Sequence, residues 1–351
     1  MRVAVINCSK VYNLAVDKIA NYHRCLGDDV YTGNWQPQEL QDKDKFYFSA
    51  IFTSDIPQLI HNVNDIRDWG RAVEIGGPAA TFMHNYIKRN TGIEPHQGLD
   101  GRFECVKGQY SFTFTSRGCP NRCSYCGVSQ LEPVLEEYDE FALAPMVGDN
   151  NLLATSWKHQ ELVVEKFADY KQNGRLVAID INSGFDVRLF ERKHFQLYSR
   201  LKLLRWRFAF DEMSVEGDVR RVAAMMKAEG FDRHHVTFYC LTGFPGTTPE
   251  ECLYRLNTIV ELEMNPYPMR FAPLNRIDRK YVARGFTQDL LSRMQSYYQR
   301  PSLWKTVNWE DFKCRKDRQS DPVPVIAAPS HLPGGFRPDR SMTGRQPSFP
   351  L

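Results

Sequence analysis

The chain has 351 residues, 42% of them hydrophobic and 25% charged, with a formal net charge of +3. This length suits two domains, or one large domain with appendages, and the composition is that of a globular protein with no apolar run long enough to span a bilayer. The small net charge excludes a strong field for polyanions, although residues 276–351 hold 14 Lys and Arg against 7 Asp and Glu. A basic C-terminal region of this kind suits RNA contact or a solvated tail. The first residues lack the long apolar core of a secretory leader, so a cytoplasmic chain without a membrane partner is expected, and its nine cysteines are read as reduced thiols, not a disulfide framework.

Arg2 to Ile6 reads as a buried strand, and Leu14 to Leu26 as a helix that stops at Gly27. Val30–Tyr31, Phe46 to Thr53 and Ala72 to Ile75 are further strands, with a helix from Ile56 to Trp69 closed by Gly70. Strands alternating with helices predict a Rossmann-like parallel sheet over residues 1–90. Residues 91–109, rich in glycine, form a connector.

Tyr110, Phe112 and Phe114 then alternate with Ser111, Thr113 and Thr115, the period of a strand. Gly118 and Pro120 break it, and Cys119, Cys123 and Cys126 follow at C-x3-C-x2-C. Thiolates are soft ligands suited to zinc or to iron–sulfur clusters. A closed zinc site wants four ligands. Three thiols therefore fit either a zinc knuckle that borrows Cys105, His96 or His159, as in a nucleic-acid-binding module, or a four-iron cluster with one iron left open.

Beyond an acidic, irregular stretch at 129–148, strands are expected at Asn151 to Thr155, Leu176 to Ile181, Arg205 to Phe210, Val236 to Leu241 and Met269 to Pro273. Helices are expected between them at Trp157 to Gln172, Val187 to Leu203, Val219 to Glu229 and Pro249 to Met264, the last opened by Thr248, Pro249 and Glu251 in a capping pattern. With the strand before the cysteines this makes six βα units over residues 110–275, a partial (βα)6 TIM-type barrel whose reactive face lies at the C-terminal strand ends. The fold class is thus α/β throughout. Residues 276–318, with a helix at Gln288 to Tyr298, are expected to fold back on this core, and 319–351 read as disordered by composition.

Cys119, Cys123, Tyr125 and Cys126, with an aromatic just before the last cysteine and a strand just before the first, resemble the cluster motif of the radical SAM enzymes. The resemblance implies a 4Fe-4S cluster on the three cysteines, with S-adenosyl-L-methionine chelated at the open iron. It further implies reductive cleavage to a 5′-deoxyadenosyl radical and an electron donor such as a flavodoxin or ferredoxin. Gly243 and Gly246, in Thr242-Gly243-Phe244-Pro245-Gly246, are similar to the family's turn beneath adenine, and Tyr125, beside the cluster, is expected to lend its backbone to adenine and its ring to shielding the cluster, or else to be a purely structural ring. Asp180 and Asn182 share a strand face and suit ribose hydroxyls or the methionine amine, or else cap the next helix. Arg207 and Asp211 suit the carboxylate and ribose of the cofactor, or form a buried ion pair. The sequence departs from the family at the second barrel strand, where Asp149 to Ser156 replaces Gly-Gly-Glu-Pro. On the strand drawn here, Thr155 and Ser156 take its end and Asp149 and Asn150 lie opposite.

Gly76-Gly77-Pro78 resembles a strand end of the cobalamin-binding domains that precede many radical SAM cores. Their Asp-x-His-x-x-Gly segment is missing, so cobalamin is not expected. Cys8 is similar in context to the N-terminal cysteines of methylthiotransferases, but Cys8, Cys25 and Cys105 do not reproduce the spacing of a second cluster. No residue marks the substrate.

Overall fold

The computed structural model of the protein describes residues 1–33, 35–104 and 106–312. Cys105, the tail at 319–351 and part of the basic C-terminal region lie outside the described residues.

Four strands open the chain: β1 (Arg2–Asn7), β2 (Asp29–Gly33), β3 (Lys45–Ser49) and β4 (Ala72–Gly76). They pair in parallel in the order β2-β1-β3-β4. Val3 to Ile6 of the central β1 are fully buried, as a strand covered on both faces requires. On one face α1 (Leu14–Cys25), capped by the Asn13 side chain on Ala15 N, turns Val16, Ile19 and Ala20 against Val3, Val5 and Tyr47. On the other, α2 (Ile56–Asp65) sets Ile56, Leu59 and Val63 against Ala4, Ile6, Phe46 and Phe48. Two further helices follow, α3 (Pro78–Phe82) and α4 (His84–Thr91). The short α5 (Gly101–Glu104) puts Phe103 on the α1 side.

Strand order reverses between β1 and β3, the place where doubly wound sheets leave a crevice at the carboxyl ends of the strands. Here that end is closed. Ser9 Oγ donates to Asp55 Oδ2 (2.6 Å) and accepts from Ile51 N (2.9 Å). Gly77, at φ +95°, lies so close that a Cβ would stand 2.5 Å from the Ala50 carbonyl oxygen. A segment from the far end of the chain crosses above. Thr53 Oγ1 donates to the Arg276 carbonyl (2.5 Å), Arg279 Nε donates to Ser54 Oγ (3.3 Å), and Ile277 packs on the α2-side core.

The second part holds β5 (Phe112–Thr113), a ribbon of β6 (Ser116–Arg117) with β7 (Glu136–Glu137), and α6 (Val128–Leu131) between them. Then come β8 (Met146–Val147), α7 (Trp157–Ala168), a β9–β10 hairpin (Lys171–Gln172, Arg175–Leu176), β11 (Asp180–Ile181) and α8 (Arg192–Tyr198). The series ends with β12 (Trp206–Ala209), α9 (Glu216–Ala228), β13 (Val236–Thr242), α10 (Pro249–Glu261), β14 (Asn265–Arg270), α11 (Gln288–Tyr298) and α12 (Pro301–Trp304). Parallel pairing gives two three-stranded sheets, β11-β8-β5 and β12-β13-β14, linked by a parallel bridge between Ile179 and Leu203. Phe208, Phe210 and Phe238 from the strands and Val222, Leu256 and Ile259 from the helices form one buried core. Thr248 caps α10 by accepting from Glu251 N at 3.2 Å, as its sequence predicts.

Several expected elements move. The second strand is Met146–Val147, and the expected strand at 151–155 is a 3-10 turn over Leu152–Ala154. Leu152 and Leu153 are buried there, and a short buried apolar pair carries no period that separates strand from turn. The strand expected from Leu176 keeps only Asp180–Ile181, because Asn173 (φ 50°) and Gly174 (φ 75°) turn Leu176 back into the hairpin. The helix expected over 187–203 is confined to Arg192–Tyr198. The last strand begins at Asn265 despite Pro266 and Pro268, which a sheet-edge position tolerates.

Candidate functional site: the cysteine loop

The loop that carries the three cysteines follows β6, two residues beyond β5, and is gripped by the residues that follow β8. Gly148 N donates to the Thr113 carbonyl (2.9 Å), which sets Asp149, Asn150 and Asn151 directly beneath the loop. Asp149, 1% exposed, accepts from Thr115 N (2.6 Å), Thr115 Oγ1 and Ser116 Oγ (2.9 Å). Burial pushes its carboxyl above the usual range against those donors. Thr115 Oγ1 also meets His159 Nε2 on α7 at 3.1 Å, and burial pushes that imidazole down, toward its neutral form. Gly118 N donates both to Asn150 Oδ1 (2.9 Å) and to Glu132 Oε2 (3.1 Å). Gly118 sits at φ +81°, and a Cβ there would lie 1.9 Å from the Val134 carbonyl oxygen. No side chain fits at that turn. Asn151 Nδ2 completes the grip, reaching Cys119 Sγ at 3.7 Å and Asp186 Oδ2 at 3.0 Å.

Cys119, Cys123 and Cys126 are all partly exposed free thiols, and Cys126 N donates to the Cys123 carbonyl (3.0 Å) in a tight turn. Burial pushes the Cys123 and Cys126 thiols up, and the neighbouring cysteines push further in the same direction. Among the described residues no group of three or more His, Cys, Asp or Glu side chains is arranged to hold a single metal ion. Tyr125 meets Phe244 edge-on (5.1 Å between centroids), and Phe244 meets Phe271 the same way (5.2 Å). Gly127, next after the last cysteine, is pressed between the N-terminal part and the chain after β14: a Cβ there would lie 2.4 Å from Phe82 Cζ and 2.6 Å from Leu274 Cδ1.

The other residues singled out from the sequence are placed as follows. Asp180 and Arg207 form a bidentate pair (2.6 and 2.8 Å), and Arg207 Nη1 donates to Tyr239 Oη (2.8 Å). Asp180 is therefore the partner of Arg207, and the ion pair considered between Arg207 and Asp211 does not form. β12 ends at Ala209, so the strand's alternation no longer aims Asp211 with Arg207. Asp211 Oδ1 instead accepts from Leu241 N (2.7 Å), and burial pushes its carboxyl up to about 6. Its charge raises the Tyr125 and Cys126 groups further, beyond the effect of their burial. Asn182 N donates to the Val147 carbonyl (2.9 Å), tying β11 to β8. Gly243, at φ +72°, makes room for Leu291 of α11, with 2.9 Å from a Cβ to Leu291 Cδ2, whereas Gly246, at φ +96°, faces open space. Cys8 lies buried in the N-terminal sheet, its thiol pushed up to about 12 by burial, while Cys25 is exposed at the end of α1.

The residues that sequence reasoning left without a role are Asp149, Asn150 and Asn151 as a group, and Asp186 with Arg188. Burial works against the Asp186 charge, yet Arg188, donating through Nε (2.7 Å) and Nη2 (2.6 Å), holds the carboxyl below its usual range. The signal was present as a glycine followed by three short polar residues at a strand end.

No protein-family model and no curated protein matches the sequence. Solved structures match in fold. The radical S-adenosylmethionine methyltransferase TsrM from Kitasatospora setae, with cobalamin and a [4Fe-4S] cluster bound, superposes with a TM-score of 0.57 at 11% identity over 78% of this chain and 77% of that one. The same enzyme with tryptophan substrate and the SAM analogue aza-SAM gives 0.58 at 10% identity over 78% and 75%. The cobalamin-dependent S-adenosylmethionine radical enzyme OxsB, with aqua-cobalamin bound, gives 0.50 at 10% identity over 74% and 52%. At such identity the likeness is one of fold: this chain has the α/β architecture of cobalamin-dependent radical SAM enzymes. Among the described residues no helix is long and apolar enough to cross a membrane.

Proposed function

We propose that the protein is a radical SAM enzyme in which Cys119, Cys123 and Cys126 hold a 4Fe-4S cluster and S-adenosyl-L-methionine binds beside it. One observation carries the reading: three thiols at C-x3-C-x2-C share a loop at the end of the first of six parallel strands, in a fold otherwise seen in radical SAM enzymes. The residues present fit the group. The sulfurs are soft donors, and all three are partly exposed at the loop rim. A bound cluster would supply the one electron needed to cleave the cofactor's sulfonium reductively, the chemistry that yields a hydrogen-abstracting 5′-deoxyadenosyl radical. The chain's own residues hold and shield. Asp149 and Asn150 fix the root of the loop, Tyr125, Phe244 and Phe271 stack edge-on in series from it, and Asp180 neutralises Arg207.

Cobalamin, bound in the solved neighbours, does not fit here. The crevice at the ends of β1 and β3 is spanned by Arg276 to Arg279, and Phe82 and Leu274 already touch the cysteine loop at Gly127. The N-terminal sheet is read as the scaffold of a cobalamin domain serving as a packing platform.

The test is anaerobic reconstitution with iron and sulfide, followed by SAM and dithionite. The expected result is a brown protein with about four irons per chain that forms 5′-deoxyadenosine, with both properties lost in Cys123→Ala. A colourless, zinc-loaded protein would sink the reading, and a second cluster by iron count would turn it toward a methylthiotransferase.

A further inference from the structure

We infer that Asn151 sets the reduction potential of the cluster on the cysteine loop, by donating an amide N–H to the sulfur of Cys119. The inference rests on the cluster assignment just proposed and adds to it a positioning residue outside the ligand set. Asn151 is 5% exposed, and its Nδ2 lies 3.7 Å from Cys119 Sγ and 3.0 Å from Asp186 Oδ2. The second bond decides which way round the amide lies, because the reverse would set its oxygen against a carboxylate. Asp186 is in turn immobilised. Its Oδ2 also accepts from Asn121 Nδ2 (3.1 Å) and Arg188 Nη2 (2.6 Å), and its Oδ1 accepts from Arg188 Nε (2.7 Å) and Arg188 N (3.1 Å). Arg188 cancels the carboxylate, so the sulfur faces an amide dipole with its N–H end forward. Asn151 reaches this sulfur from the stretch that follows β8, outside the loop itself.

Reduction adds one electron, whose charge spreads onto the ligand sulfurs. An N–H donor held against one of them stabilises the reduced cluster more than the oxidised one and raises the potential, and the low local dielectric strengthens the effect. Removing the donor makes the cluster harder to reduce.

The experiment is a redox titration of reconstituted wild-type, Asn151→Leu and Asn151→Asp proteins, followed by the EPR signal of the reduced cluster. At one fixed potential the reduced-to-oxidised ratio is expected to fall about tenfold in Asn151→Leu, a shift of about 59 mV for a one-electron couple. It falls further in Asn151→Asp, which keeps the shape and replaces the donor by a charge. An asparagine that only props the loop would lower cluster occupancy and leave the midpoint in place. If Asn151→Leu takes up no cluster, the isosteric Asn151→Asp decides alone. A wild-type cluster whose midpoint is unmoved in the variants that load overturns this inference and leaves the assignment standing. A wild-type chain that binds no iron overturns the assignment, and the inference with it.

Discussion

Gly118 turns the chain from β6 into the cysteine loop in a conformation and a space that admit no other residue. A non-glycine residue at φ +81° costs ~1–3 kcal/mol before any clash, and here the new Cβ would meet a backbone oxygen that cannot swing away. Gly118→Ala is expected to abolish cluster uptake, measured as bound iron, while the far-UV circular dichroism of the remaining elements persists. Asp211 gives a test by pH. Its carboxyl stands near 6 in the folded chain against about 3.9 unfolded, so the folded state holds its proton more tightly, and stability is lost as pH rises between those values. Asp211→Asn, which keeps the acceptor for Leu241 N, should therefore gain on the wild type between pH 4 and 6 and hold a constant lead above that. The lead is at most ~3 kcal/mol, read from urea midpoints of the apo protein.

At the scale of elements, the short β8 and the three polar residues after it decide whether the loop has a base. Asp149→Ala strands Thr115 N and Ser116 Oγ in a buried site and leaves Thr115 Oγ1 only His159. At about 1–3 kcal/mol per orphaned group the expected loss is several kcal/mol, visible in chemical denaturation. This is also where the sequence was hardest to read. The N-terminal strands were legible because Val3 to Ile6 and Phe46 to Phe48 are continuous apolar runs of strand length between turn signals. So was the cysteine loop, whose spacing is chemical and does not depend on its surroundings. β5, β8 and β11 contribute two residues each to their ladder, too few for any periodicity, and Leu152–Leu153 offered a more apolar decoy a few positions on. The pairing of Arg207 with Asp180 depends on which strands adjoin, information that only the folded sheet contains.

For the molecule as a whole, the two sheet systems are joined through Gly127, where Phe82 and Leu274 converge, and through the segment that crosses the N-terminal crevice. Hydroxocobalamin added to the protein is accordingly expected to keep its free absorbance spectrum, and a saturable shift would show that the crevice opens. Ile277→Asp, which puts a charge into the core under that segment, is expected to lower the thermal midpoint of the N-terminal sheet. The bonds from Thr53 and Ser54 to Arg276 and Arg279 span 223 and 225 positions. At ~5–20 residues per second of synthesis, the rim of this sheet waits roughly 10–45 s for its cover. During that interval the carboxyl ends of β1 and β3 lack the cover that Arg276 and Arg279 later supply, and the N-terminal sheet must hold together on its own core.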